Sequence, residues 1–83
     1  FAWEGISDIF GRYAGAAADH FSDRVKMFLT INEPQCVTEL GYVKGVHAPG
    51  YQWKEGQEGV VMKNLLLSHG KAVKALRQYA VTV

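Results

Sequence analysis

The sequence predicts an α/β segment, and three observations predict it. Val25 to Ile31 forms an apolar stretch rich in Val, Ile and Phe, suited to a strand buried on both faces of a parallel sheet. On either side of it, apolar residues recur at the i, i+3, i+4, i+7 spacing of amphipathic helices. After the second of these helices, Val81-Thr82-Val83 reads as the opening of another strand.

The first helix is expected near residues 6–20. Ile6, Ile9, Phe10, Tyr13, Ala14, Ala17, Ala18 and Phe21 make its apolar stripe, Ser7 or Gly5 could cap its start, and Asp8 suits its first turn. Phe21-Ser22-Asp23-Arg24 then leads into the strand at about 25–31. Pro34 stops that strand and biases Glu33 toward an extended backbone. Gln35 to Leu40 can form a short helix with Pro34 in its first turn and Gly41 at its end.

Residues 44–57 form the longest irregular segment, and Pro49-Gly50 within it has the chemistry of a type II turn. A loop of this length inside a compact domain is often functional. A long helix follows from about Glu58 to Tyr79, with Met62, Leu65, Leu66, His69, Ala72, Val73, Leu76 and Ala80 as its stripe. Gly70 lowers its helix propensity by roughly 1 kcal/mol relative to alanine, which close packing would justify. One complete strand cannot make a sheet, so residues 1–83 are expected to be part of a domain rather than a whole one.

Composition narrows the function classes. An apolar fraction of 48% with 20% charged residues is globular, which argues against disorder. A net charge of +1 offers nothing for nucleic acid or an anionic membrane to attract. No apolar run approaches the roughly 18 to 20 residues that span a bilayer. Phe1-Ala2-Trp3-Glu4 lacks the basic and apolar regions of a signal peptide and has no initiator methionine, which fits a chain beginning in mid-protein. The single cysteine, Cys36, excludes an intrachain disulfide and suits a reducing compartment, so a cytoplasmic location is expected.

The chemistry concentrates in Thr30-Ile31-Asn32-Glu33-Pro34, where the apolar run ends in an amide, a carboxylate and a proline. In parallel sheets, ligand sites gather beyond the carboxyl ends of the strands. This stretch resembles the T-x-N-E-P signature of glycoside hydrolase family 1, the beta-glucosidase family. The likeness continues through Asp23-Arg24-Val25-Lys26, Gly41-Tyr42, Gly45-Val46-His47-Ala48-Pro49-Gly50 and Leu65-Leu66-Leu67-Ser68-His69-Gly70-Lys71-Ala72-Val73.

The resemblance implies a slice of a (β/α)8 TIM barrel, from roughly its third helix to its fourth. It also implies a retaining hydrolase of terminal beta-linked glucosyl or galactosyl residues that uses no metal or organic cofactor. Glu33 takes the role of general acid/base, and Asn32 that of the contact to the sugar 2-hydroxyl. A retaining glycosidase needs a second carboxylate about 5 to 5.5 Å from the first. In the family that nucleophile lies in a T-E-N-G motif, and none occurs among these residues. Without it the isolated chain is expected to be inactive. The plain alternative for an Asn-Glu pair at a strand end is helix capping or loop hydrogen bonding.

Other candidates weigh differently. Tyr51 and Trp53 lie in the long loop near the expected barrel mouth and could contact the aglycone side of a substrate. Trp3 and Tyr42 read as core packing, Cys36 as an inert thiol, and His69 as a hydrogen-bonded core residue. His20, His47 and His69 are too widely spaced for a zinc pattern. Arg24 suits an ion pair with Asp23, while Lys63, Lys71, Lys74 and Arg77 suit a solvated helix face. The partners expected are a beta-glucoside or oligosaccharide, and either the remaining barrel segments or a second copy of the chain. A non-catalytic helical association module is the rival reading, because the apolar faces lack neighbours within the chain.

Overall fold

A computed structural model describes residues 1–83. Helix α1 spans Ile6–Phe21, helix α2 spans Pro34–Thr38, a π-helical turn continues it over Glu39–Val43, and helix α3 spans Gly59–Leu76. The radius of gyration is 14.0 Å and the extents are 43 × 21 × 15 Å. A compact domain of this length would have a radius near 12 Å. The molecule is thus an elongated layer with no enclosed centre. Neither α1 nor α3 is long and apolar enough to cross a membrane.

Helices α1 and α3 hold the molecule together. Ala14 and Ala18 meet Ala72 and Leu76 in one buried cluster, flanked by Phe10, Phe28, Tyr79 and Val81. Small side chains on both helices allow a close crossing. Ser7, buried on α1, accepts a hydrogen bond from Lys71 Nζ at 2.8 Å, and Asp8 pairs with the same ammonium. Lys71 is therefore a bridge between helices, not a member of a solvated face. A second cluster of Tyr42, Val61 and Leu65 joins α3 to the π-helical turn.

The segment expected to be a strand behaves differently. It makes one parallel bridge, Met27 with Thr82, through Phe28 N–H to Thr82 O at 2.9 Å and Thr82 N–H to Lys26 O at 2.8 Å. The parallel sense agrees with expectation, but no strand of 25–31 forms and its two faces are not buried. Leu29 is 91% exposed and Met27 68%. A strand has backbone donors and acceptors on both edges, and only a few find partners here.

Several smaller expectations also change. Gly41 does not end the short helix but lies buried within the π-helical turn. A Cβ there would stand 2.6 Å from the Ala48 carbonyl oxygen, so the glycine admits the loop instead of breaking the helix. The Ala48–Pro49 peptide is cis and the turn falls on Ala48 and Pro49, so the expected type II turn at Pro49-Gly50 does not form, and Gly50 follows it with φ 81°. The long helix starts one residue later than expected and ends at Leu76, three residues short of Tyr79. Gly70 faces open space, so close packing does not explain it. Ile9, Tyr13, Phe21 and Leu66 are exposed although they belong to the apolar stripes, because nothing covers that side of the helix pair. Trp3 is exposed rather than packed in a core, whereas Tyr42 is buried as expected.

Candidate active site

The apolar segment is fixed at three levels. Lys26 and Phe28 pair with Thr82 at its base. Thr30 hydrogen-bonds to His69 Nδ1 at 2.6 Å, and Ile31 packs against the Tyr42, Val61 and Leu65 cluster. Asn32 and Glu33 follow, both exposed. His69 is exposed as well, so it is a flank residue that reaches the segment, not the core residue its helical position suggested.

Glu33 has φ 41° and ψ 68°, and it is the one non-glycine residue with positive φ. The extended backbone expected before Pro34 does not occur. Proline disfavours the right-handed helical region for the residue before it, and here the chain takes the left-handed one. That turn aims the Glu33 carbonyl at α2, where it accepts from Cys36 N–H at 2.9 Å and Val37 N–H at 3.2 Å. Pro34 fills the first position of α2, which needs no amide donor. A left-handed conformation costs a non-glycine residue about 1 to 3 kcal/mol and persists only where its surroundings hold it.

The Glu33 side chain makes no cap to α2 and lies beside the Cys36 thiol. Glu33 is the N-cap of α2, yet no side-chain capping hydrogen bond forms. Simple capping therefore does not account for the pair. Asn32 lines an open cleft of about 460 Å³ with Phe28, Leu29, His69 and Val83. The Cys36 thiol is pushed above its ordinary 9.0, first by a side-chain interaction with Glu33, then by desolvation and the charges of Glu33 and Glu39. That favours the thiol over the nucleophilic thiolate and fits an inert Cys36.

Tyr51 and Trp53 form a separate feature. Their rings stack at 5.7 Å with 5° between planes, and Tyr42 meets them at 5.6 and 5.0 Å. Tyr51 N–H donates to Gly41 O at 2.9 Å and Trp53 N–H to Tyr42 O at 2.7 Å, which pins the loop to the π-helical turn. Tyr42 Oη in turn accepts from the Phe1 nitrogen at 3.1 Å, and burial pushes its phenol pKa up. No hydrogen bond joins this aromatic group to Asn32 or Glu33. The connection is indirect, since Trp53 and Ile31 pack on the same buried cluster.

Other candidate groups are placed more simply. Arg24 pairs with Asp23 at 3.1 Å and also donates to the His20 carbonyl, as a structural residue would. No three His, Cys, Asp or Glu side chains converge to hold a metal ion. A larger cavity of about 600 Å³, lined by Gln35, Thr38, Glu39, Lys44, Glu55 and Met62 among others, includes none of Asn32, Glu33, Tyr51 or Trp53. Sequence reasoning missed the Thr30–His69 bond, whose partners lie 39 residues apart. It also missed the left-handed Glu33, for which Glu-Pro gives no local signal.

Comparison with known proteins places this arrangement in a family. The profile of glycosyl hydrolase family 1 matches residues 1–83. Beta-glucosidase 1B of Phanerodontia chrysosporium is 42% identical over 76 residues, covering 81% of this chain and 14% of that protein. Beta-glucosidase A of Thermotoga maritima is 41% identical over 73 residues, covering 88% of this chain and 16% of that protein. The structure of the Thermotoga maritima beta-glucosidase in complex with azafagomine superposes with a TM-score of 0.88 at 38% identity, over 95% of this chain and 18% of that one. The chain thus spans about one sixth of the length of the relatives it matches.

Proposed function

The chain belongs to glycosyl hydrolase family 1, and we propose that it supplies the acid/base half of a retaining beta-glucosidase site. The substrate is a terminal beta-D-glucosyl or galactosyl residue of a glucoside or oligosaccharide. Glu33 protonates the departing glycosidic oxygen and then, as carboxylate, takes a proton from the water that releases the sugar. Asn32 holds the 2-hydroxyl beside the reacting carbon. Tyr51 and Trp53 offer a flat apolar surface to the aglycone side. The nucleophile comes from outside these 83 residues, so the chain alone has no route to a covalent intermediate. A reducing, cytoplasmic setting accompanies this reading.

One observation carries the assignment to Glu33 in particular. It is the residue whose backbone departs from ordinary conformations, at the end of the apolar segment, with its side chain committed to no cap. Strain of this kind clusters where a side chain must be aimed. Replacing Glu33 by Gln in the full-length protein tests the role. With an alkyl beta-glucoside, whose leaving group needs a proton, kcat/KM should fall by about 10²- to 10⁴-fold. With 2,4-dinitrophenyl beta-glucoside, whose leaving group needs none, it should stay within about tenfold. Equal loss on both substrates would refute an acid role.

A second reading applies to the 83-residue chain by itself. Leu29, Met27 and Tyr13 are 91%, 68% and 66% exposed. An apolar cleft lies between α1 and the 28–30 segment. Such a face favours self-association or pairing with complementary barrel segments. Size-exclusion chromatography tests this, and a compact cooperative monomer would count against it.

A further inference from the structure

The Thr30–His69 contact is the side-chain hydrogen bond between the apolar segment and α3. Its position is informative. His69 shares one cleft with Thr30, Ile31 and Pro34, and another with Leu29, Thr30 and Asn32. The imidazole therefore lines clefts that also reach Asn32 and Pro34, the two neighbours of Glu33. On the C-terminal side, Glu33 is held by the amides of Cys36 and Val37. On the N-terminal side, Thr30 is the nearest residue with a polar tether to the helix layer.

Within these 83 residues His69 lies outside the buried helix layer. The helix layer is built through Val61, Leu65, Ala72 and Leu76, all buried, while His69 is exposed. A strained residue needs support from both sides, and an imidazole bonded to a hydroxyl three residues upstream supplies the missing one. We propose that His69, acting through Thr30, is a positioning residue that sets the direction of the Glu33 carboxyl. This rests on the reading of Glu33 as acid/base. Neither His69 nor Thr30 touches the substrate in this account.

The test uses the full-length protein with Thr30→Val, His69→Ala, their combination, His69→Asn and Glu33→Gln. Each is assayed on methyl beta-D-glucoside and on 2,4-dinitrophenyl beta-D-glucoside. Thr30→Val keeps the side-chain shape and removes the hydroxyl. His69→Asn keeps a polar atom near the Nδ1 position.

Thr30→Val and His69→Ala should each lower kcat/KM on the methyl glucoside by about tenfold or more, as misplacement of a catalytic group does. On the dinitrophenyl glucoside the change should stay below about threefold. The double variant should be no worse than either single one, and His69→Asn should recover most of the loss. A residue that only packs would lower both substrates alike and would not be rescued by Asn. Equal losses, no loss, or additive losses would each overturn the proposal. Should His69→Ala fail to fold, Thr30→Val and His69→Asn read the same bond. If Glu33→Gln shows the substrate split and the Thr30 and His69 variants do not, the positioning role fails alone. If Glu33→Gln shows no split, the acid/base reading itself fails.

Discussion

Two regions of similar apolar character meet opposite fates in this chain. Helices α1 and α3 bury Ala14, Ala18, Ala72 and Leu76 between them, whereas Val25, Met27 and Leu29 of the central segment stay exposed. The difference lies in where backbone hydrogen bonds are found. A helix closes its own bonds and needs a neighbour for only one stripe, and two helices can satisfy each other. A strand depends on partners at both edges and both faces. Here the partner is a single residue, Thr82. The helices bury one shared stripe while Tyr13 and Leu66 stay uncovered, and the segment bearing Glu33 has not even one buried face.

Truncating a leucine in each region should separate the two most widely. Leu76→Ala should destabilise the 83-residue chain by about 2 to 5 kcal/mol, the range for emptying a buried site. Leu29→Ala should change it by less than about 0.5 kcal/mol, as at an exposed position. Urea midpoints by circular dichroism measure both. In the full-length protein the Leu29 cost should rise toward that of Leu76, if neighbours cover it there.

Two substitutions of intermediate size sharpen it further. Gly70→Ala should stabilise α3 by roughly 1 kcal/mol, because open space surrounds the position and only helix propensity is at stake. Glu33→Gly should also stabilise, by about 1 kcal/mol, through relief of the left-handed strain. Thermal midpoints of the two variants check these signs. Glu33→Gly should lose the acid role in the full-length enzyme, so the gain and the loss fall on one residue.

The smallest effect concerns Cys36. Its folded pKa lies above the ordinary 9.0, so the fold favours the protonated thiol. The linked stability is fully present below the unfolded pKa and fades as pH rises through the higher folded one. Alkylation of the folded chain near pH 9 should be slower than that of the urea-unfolded chain. Glu33→Gln should narrow the gap, since Glu33 is the first cause of the shift.

Much of this was legible in the residues themselves. The i, i+3, i+4 spacing located α1 to within a residue and α3 to within a few, since helical periodicity is a local property. The apolar run at 25–31 indicated a parallel strand, and its one bridge is parallel. What stayed illegible depends on contacts distant in sequence. Gly41 looked like a helix stop and proved to be the seat of the Ala48 carbonyl. His69 looked like core because its position lies on the stripe, yet it turns to Thr30 at the edge of the layer. The T-x-N-E-P stretch announced the family, but the left-handed backbone at Glu33 could not be inferred from Glu-Pro.

On the proposed function, Glu33 is one half of a catalytic pair whose other half lies outside these residues. Turnover of 4-nitrophenyl beta-D-glucoside by the purified 83-residue chain tests it most directly, with the Glu33→Gln chain as background. No hydrolysis above that background is expected. Sustained turnover by the chain alone, lost in Glu33→Gln, would contradict it.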